Sequence, residues 1–148
     1  MRLQLPEGSR EATRRRLLAG LAGATEDGRA EPWVRSLAER VQRHLAGAPQ
    51  DFADVPVDFS GASPASRAVW QAARRVAAGR TASYGELARA VGKPGGARAV
   101  GSAMSRNPVA LVVPCHRIVA ADGSLGGFSA RGGPATKRRL LALEGWKA

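Results

Sequence analysis

From residue 63 onward, residues that start helices and residues that stop them alternate too closely for any long element. Ser63-Pro64 pairs an N-cap hydroxyl with a ring pre-set for the first helical turn, and Gly79 closes the segment they open. Within it Val69, Trp70, Ala73, Val76 and Ala77 recur on one helical face. Ser83-Tyr84-Gly85-Glu86 has the form of a capping box, and Gly92 with Pro94 ends the helix it begins. The Gly95-Gly96 turn leads into a further helix, Ala97 to Arg106, with Val100, Ala103 and Met104 facing inward. Two short helices joined by a tight glycine turn are a helix-turn-helix pattern, although ordinary helical cores contain such pairs too. A loop with five glycines, Gly123 to Gly133, precedes a last helix over about Thr136 to Leu143 that carries Lys137-Arg138-Arg139.

The first half is less sharply written. Arg10 to Leu21 is a modest helix candidate. Pro32 opens a clearer one, in which Val34, Leu37, Ala38, Val41 and Leu45 repeat at helical spacing until Gly47-Ala48-Pro49 stops it. Phe52 to Gly61 reads as an extended, proline-containing connector, which divides the chain into domains 1–62 and 63–148. At 148 residues there is material for one good core, or one core and a small appended domain. No segment approaches the length of a membrane span. Thr13-Arg14-Arg15-Arg16-Leu17-Leu18 looks like a twin-arginine export signal, but the apolar run behind it, Leu17 to Ala24, is too short, so a basic amphipathic helix fits better. A single cysteine permits neither an internal disulfide nor a multi-cysteine zinc site, and a cytoplasmic protein is the default expectation.

Charge is distributed unevenly. The net +11 lies entirely in residues 63–148, which hold 14 Lys and Arg against three acids, whereas residues 1–62 hold nine Arg and nine acids. A general preference for arginine would raise it in both halves and would not strip acids from one. A polyanion-binding surface accounts for both, because each neutralised phosphate releases counterions.

The one cysteine sits in that basic half, within Asn107-Pro108-Val109-Ala110-Leu111-Val112-Val113-Pro114-Cys115-His116-Arg117. Leu111-Val112-Val113 reads as a short buried strand that Pro114 ends, presenting Cys115 at its tip. His116 and Arg117 would then supply positive potential to lower the thiol pKa and make a nucleophile. A free cysteine is more often a small buried hydrophobe. The helix over 97–106 also admits two readings. Ala97, Ala99, Gly101 and Ser102 give it a tiny outer surface that would let it approach a groove closely, with Arg98 as a wedge; on its own it is a surface helix with one solvated arginine.

Pro114-Cys115-His116-Arg117 behind Asn107-Pro108 resembles the active-site signature of the O(6)-alkylguanine-DNA alkyltransferases, the methylated-DNA–protein-cysteine methyltransferases. The likeness covers roughly residues 64–146 and takes in Val69-Trp70, Ser83 to Ala88, Ala97 to Gly101, Asn107 to Val119, Gly126 to Ser129 and Leu140 to Gly145. It implies a DNA repair protein of α/β class, with a small N-terminal domain, then a mostly helical domain holding a helix-turn-helix and a short active-site strand. Cys115 would take the alkyl group from guanine O(6) irreversibly. His116 would accept the thiol proton through water, Glu144 would orient that imidazole, and Asn107 would hinge the helix-turn-helix to the active-site strand. The partner would be double-stranded DNA, bound in the minor groove by a monomer, with the damaged nucleotide flipped out. Arg98 would fill the gap and Tyr84 would crowd the neighbouring phosphate and donate toward the guanine. Lys93 and the backbone at Gly85 and Ala97 would contact phosphates, with Ala99 and Gly101 against the groove. Met104, the Ile118 backbone, Phe128 and Ser129 would shape the pocket. No cofactor and no metal is implied.

The chain departs from that pattern in places. Phe128 stands where many members have tyrosine, Pro64-Ala65 replaces a common Phe-Gln pair, and Ala130-Arg131-Gly132-Gly133 is longer and more basic than the usual turn. Residues 1–30 lack the alternation of the family's N-terminal hairpin, so that domain reads as truncated or rebuilt. His44, beside Arg43 on its helix, reads as a surface residue. Three alternatives stay open. Alkyltransferase-like proteins bind lesions without transfer, but typically carry tryptophan at the cysteine position. A Cys-His hydrolase would need an oxyanion site that is not visible. A regulator sensing through Cys115 leaves Tyr84, Asn107 and Glu144 unexplained.

Overall fold

The computed structural model describes Leu5, residues 7–19 and residues 31–147. Six helices appear among them: α1 Arg10–Leu18, α2 Pro32–Leu45, α3 Pro64–Ala73, α4 Tyr84–Ala90, α5 Ala97–Ser105 and α6 Gly133–Leu143. A single 3-10 turn, Cys115–Arg117, and a two-stranded parallel sheet, β1 Ala82–Ser83 with β2 Ile118–Val119, complete the set. The fold is therefore mostly helical. No described helix is long and apolar enough to cross a membrane.

Local chemistry explains most helix starts. Ser9 accepts the Ala12 N–H at 3.1 Å and opens α1; residues 20 and 21, where the sequence extends that helix, lie outside the described residues. Ser63 accepts the Ser66 N–H at 3.2 Å, with Pro64 in the first turn of α3. The capping box of α4 is complete: Ser83 Oγ accepts the Glu86 N–H at 3.1 Å, and Glu86 Oε2 accepts the Ser83 N–H at 2.6 Å. The helix α3 stops at Ala73, earlier than Gly79. Its Trp70 donates Nε1–H to the Ala103 carbonyl at 2.9 Å, which locks α3 to α5.

The strand expected at Leu111-Val112-Val113 is not there. Those residues form a tight turn closed by Val113 N–H to Val109 O at 2.9 Å, with Leu111 in the left-handed region at φ 69°. A non-glycine residue there gives up roughly 1–2 kcal/mol, which burial of the leucine side chain can offset. The strand comes after the cysteine instead, so Cys115 opens a 3-10 turn rather than ending a strand. Pairing of Ala82 with Ile118 and Ser83 with Val119 makes Ser83 both the end of β1 and the cap of α4. The cysteine turn and the α4–α5 helix pair are thereby fixed to one another.

Two apolar clusters fill the interior. One joins Val69, Trp70, Leu87, Val100, Met104 and Ile118 around Cys115. The other joins Leu5, Leu37, Phe52 and Val55 to Val109, Leu111, Val112 and Leu140, so residues before and after 62 share a core. The connector enters both clusters, Phe52 and Val55 the second and Phe59 the first, and Arg74 Nη2 reaches the carbonyls of Val55 at 2.6 Å and Ala53 at 2.8 Å. On α2, Leu37 is buried but Val34 is 37% exposed, so the buried face is rotated from the one Val34 suggested.

The capping box is the sole polar start of the helix that carries Tyr84. Ser83→Ala should cost about 1 kcal/mol of unfolding free energy in urea denaturation. A loss within a few tenths (roughly, for a redundant cap) would show that the strand pairing alone sets this helix start.

Candidate active site

Cys115 is 8% exposed and is held from the side by Asn107. The Asn107 amide donates Nδ2–H to Val113 O at 2.7 Å and to Cys115 Sγ at 3.3 Å, while Oδ1 accepts the Val109 N–H at 2.9 Å. One side chain thus braces the left-handed turn and the thiol together, just past the end of α5. Burial pushes the Cys115 thiol up from its ordinary pKa, and the Asn107 hydrogen bond and the Lys137 charge oppose this. The sequence assigned that opposing charge to His116 and Arg117, but Arg117 faces Glu144 and Lys137 supplies the charge.

Arg117 points to Glu144, the residue that ends α6. Its Nη2 lies 2.7 Å from Oε1, its Nε lies 3.0 Å from Oε2, and its Nη1 donates to Val76 O at 2.6 Å. His116, 1% exposed, shares the same carboxylate through Nε2 at 3.0 Å from Oε1. A carboxylate oxygen only accepts, so Nε2 carries the proton and Nδ1 keeps its lone pair. That Nδ1 is buried and has no hydrogen-bond partner among the described residues. Burial lowers the His116 pKa below its ordinary value, against the pull of Glu144, so the ring is neutral and able to accept a proton. Burial would raise Glu144, but hydrogen bonds from His116 and Arg117 win and hold it at about 2.

Gly79 has a role here that its sequence position did not suggest. Its N–H approaches Glu144 Oε2 at 3.4 Å, its φ is +74°, and a Cβ would lie 2.8 Å from the Glu144 carbonyl. Only glycine lets the chain pass this close.

Two further basic residues are buried. Lys137, with no exposed surface, donates Nζ to the carbonyls of Ile118 and Leu125 and lies 5.8 Å from the Tyr84 ring centre. Burial lowers its pKa to about 8, with the thiol pulling the other way. His44, placed at the surface by the sequence, is also fully buried, because the last turn of α2 packs against the end of α6. Its Nε2 lies 3.4 Å from Glu144 Oε1. The exposed face of neighbouring residues gave no hint of either burial, since each depends on partners distant in sequence.

His44, His116 and Glu144 bring donor atoms within 4.8 Å of one another, which is a conceivable metal triad. The chemistry fits poorly. Arg117 occupies both carboxylate oxygens, and its permanent positive charge sits where a cation would bind.

Cys115 borders a cavity of about 390 Å³ lined by Tyr84, Gly101, Met104, Phe128 and Ser129. Desolvation raises the pKa of half-buried Tyr84, so its hydroxyl stays protonated. Ile118 is not at the cavity wall: it lies in β2 with its side chain in the core and its carbonyl bonded to Lys137. A second cavity, about 380 Å³, meets Cys115 from the side of α1. There Arg16 donates Nη2 to Ser129 O at 2.9 Å and pairs with Glu7 at 2.8 Å, a link the sequence did not indicate. Arg98, Ala99 and Lys93 lie exposed on and just before α5, while Gly85, Ala97 and Gly101 are half-buried.

Residues 64–146 match the family model described as 6-O-methylguanine DNA methyltransferase, DNA binding domain. A methylated-DNA–protein-cysteine methyltransferase of Mycolicibacterium paratuberculosis is 44% identical over 122 residues, covering 82% of this chain and 70% of the relative. A DNA base-flipping protein of Thermus thermophilus is 46% identical over 107 residues, covering 72% of this chain and 70% of the relative. The crystal structure of Mycobacterium tuberculosis OGT in complex with DNA superposes with a TM-score of 0.68 at 42% identity, over 74% of this chain and 64% of that one. The matched stretch thus takes in about two thirds of each relative's own length. A buried Cys-His-Glu arrangement on a domain that matches the family model throughout its length settles the kinship: the chain belongs to the 6-O-methylguanine DNA methyltransferase family.

Proposed function

We propose that this protein repairs O(6)-alkylguanine in double-stranded DNA by transferring the alkyl group to its own Cys115, once per molecule. The observation that carries the reading is a single arrangement. A thiol gripped by Asn107 faces a cavity that could hold a base, and the next residue is a neutral imidazole with a free, buried Nδ1.

The thiol rests protonated, because burial holds its pKa up. Its proton passes to His116 Nδ1 through a water, and the imidazolium is stabilised by Glu144 through Nε2–H. The thiolate attacks the alkyl carbon in line: the C–S bond forms, the C–O(6) bond breaks, and the electron pair goes to the guanine. The proton held on His116 balances the charge when it returns to the departing base. The Tyr84 hydroxyl and the Ser129 amide supply donors toward the guanine, and Met104 and Phe128 flank the ring. A thioether has no hydrolytic exit, so the protein is consumed.

The DNA is met by the 63–148 unit. Its α4–α5 pair serves as a helix-turn-helix set in the minor groove, with small residues Ala97, Ala99 and Gly101 against the groove. Arg98 enters the stack in place of the flipped nucleotide, and Lys93 and the Gly85 backbone touch phosphates. The protein acts as a monomer on chromosomal DNA in the cytoplasm. The 1–62 unit braces the site from behind.

A second reading, lesion binding without transfer, is favoured by the relative named a DNA base-flipping protein. Incubation with duplex DNA containing O(6)-methylguanine distinguishes the two. The peptide holding Cys115 should gain one methyl group by mass spectrometry, and Cys115→Ala should bind but never become labelled. An unmodified Cys115 with persistent DNA binding would give the function to the second reading.

Arg98→Ala should slow transfer from duplex DNA by roughly tenfold or more, about 1.4 kcal/mol, while transfer from the free methylated base stays unchanged. Binding by the native protein should weaken steeply with added salt. Equal slowing on both substrates would remove Arg98 from the flipping step. The pH dependence follows from His116, which must be neutral to accept the proton. Its pKa is lowered, so the acid limb of the transfer rate should fall below the ordinary histidine value of 6.5. A limb above 6.5 would show that His116 is not the acceptor.

A further inference from the structure

The carboxylate that serves His116 also faces a second imidazole. Glu144 Oε1 lies 3.0 Å from His116 Nε2 and 3.4 Å from His44 Nε2, and both rings are buried. Either ring could become an imidazolium beside that charge, yet only one of them adjoins Cys115. A proton drawn onto His44 would spend the Glu144 charge on the wrong ring.

The backbone prevents this. His44 Nδ1 accepts the Gln50 N–H at 3.1 Å. That bond requires a lone pair on Nδ1, so the neutral ring carries its proton on Nε2, facing Glu144. Protonating Nδ1 would set two N–H groups against each other in a site without exposed surface. The Gln50 amide is held in place by its neighbourhood: Gly47 turns the chain at φ +91°, and the Gln50 side chain donates to Ala48 O at 3.0 Å and Pro49 O at 3.2 Å. The ring of Phe52 packs at 5.5 Å on the His44 ring and closes the space. The charged groups around His44 are Glu144 at the end of α6 and Arg117 from the cysteine turn, and the neutral, titratable ring of His116 lies beyond the same carboxylate. Burial lowers the His44 pKa, in agreement with a ring that stays neutral. The Nε2–H makes no hydrogen bond among the described residues and lies against Glu144 Oε1 at 3.4 Å.

We infer that His44 is a positioning residue of the transfer reaction: a permanently neutral imidazole, its tautomer fixed by the Gln50 N–H, that steadies Glu144 Oε1 and leaves His116 as the one ring able to take the thiol proton. The inference rests on the proposed alkyl transfer for its kinetic meaning, but the tautomer assignment stands without it. His44 also ties α2, from the charge-balanced half of the chain, to the carboxylate that orients His116.

The experiment has two arms. In the first, the protein labelled with ¹⁵N in its histidine rings is titrated by NMR with no DNA present. His44 should show a bare Nδ1 and a protonated Nε2 at every pH at which the fold persists, while His116 alone changes. Protonation of His44 before His116, or a proton on Nδ1 in the neutral ring, would overturn the inference. In the second arm, the pH profile of methyl transfer is compared for the native protein, His44→Phe and His44→Gln. Phe removes the donor, concentrates the Glu144 charge on His116 and raises its basicity. The acid limb should then move up by about half a pH unit or more, and Gln, which keeps an N–H near the Nε2 position, should restore the native limb. A limb unmoved in the Phe variant, or moved equally in both, would reduce His44 to packing. Should the Phe variant fail to fold, the first arm decides alone. Native protein that transfers no methyl group would sink the alkyl-transfer reading and leave the NMR result to judge His44.

Discussion

The carboxylate of Glu144 is the point on which the rest of this structure turns. It is buried, and it is met by Arg117 in two-point contact, by His116, by His44 and by the Gly79 N–H. These come from the cysteine turn, the last turn of α2 and the loop after α3, so one residue at the end of α6 gathers three other parts of the chain. Stripping water from a carboxylate costs several kcal/mol. Arg117 supplies the compensating charge, and its remaining Nη1–H is used by Val76 O. Deleting Glu144 would leave a guanidinium buried and unpaired, with a penalty of roughly 3–5 kcal/mol. The residue that orients the proposed base is therefore also a fold determinant, and an Ala variant would confound the two effects. His44 and Gly79 offer gentler handles on the same carboxylate.

That arrangement also explains how a thiol can be both protected and usable. Burial keeps Cys115 protonated, which shields a one-use group from oxidants and stray electrophiles, because the thiolate is the reactive form. Three features reduce the cost of ionisation when the substrate arrives: the Asn107 N–H, the nearby Lys137 ammonium and the lone pair on His116. Lys137 is the least expected of them. It sits in a basic run on α6, but its ammonium turns inward to bond the carbonyls of Ile118 in β2 and Leu125 in the glycine loop. With a pKa of about 8 it is mostly charged at neutral pH, so it supplies field at the thiol without being strongly hydrated.

What the sequence made legible was local. Ser63-Pro64, the Ser83/Glu86 box, the Gly95-Gly96 turn, the inner face of α5 and that of α3 as far as Ala73 depend on residues a few positions apart, and they form as read; Val76 and Ala77, expected on the same face, lie beyond the helix, and Ala77 is exposed. The run Leu111-Val112-Val113 misled because apolar, β-branched residues suit a buried turn as well as a strand. The deciding feature, a leucine held at positive φ by Asn107 and its own burial, has no sequence signal. The burial of His44, Arg117 and Lys137 was illegible for a different reason. Arg117 and Lys137 are satisfied by carbonyls or a carboxylate at a large sequence separation, and His44 is enclosed against a carboxylate equally distant in sequence, so no local pattern marks any of the three.

The same distinction bears on how the two halves of the chain relate. Charge divides them cleanly, and the family model matches only the second. The interior does not follow that division. Leu5 and Leu37 pack with Val109 and Leu140, Arg16 holds the carbonyl of Ser129 at the cavity mouth, and His44 reaches the carboxylate behind His116. A half with no net charge is suited to that work. It adds no repulsion to a domain already carrying the whole positive surplus, and it leaves the polyanion-facing surface unopposed. It also supplies contacts that matter to the site: a brace on the pocket loop in front and an imidazole behind. The residues before 62 thus form the back and one side of the site, and changes there should be felt in the basicity of His116 and the set of Ser129 before they are felt in DNA binding.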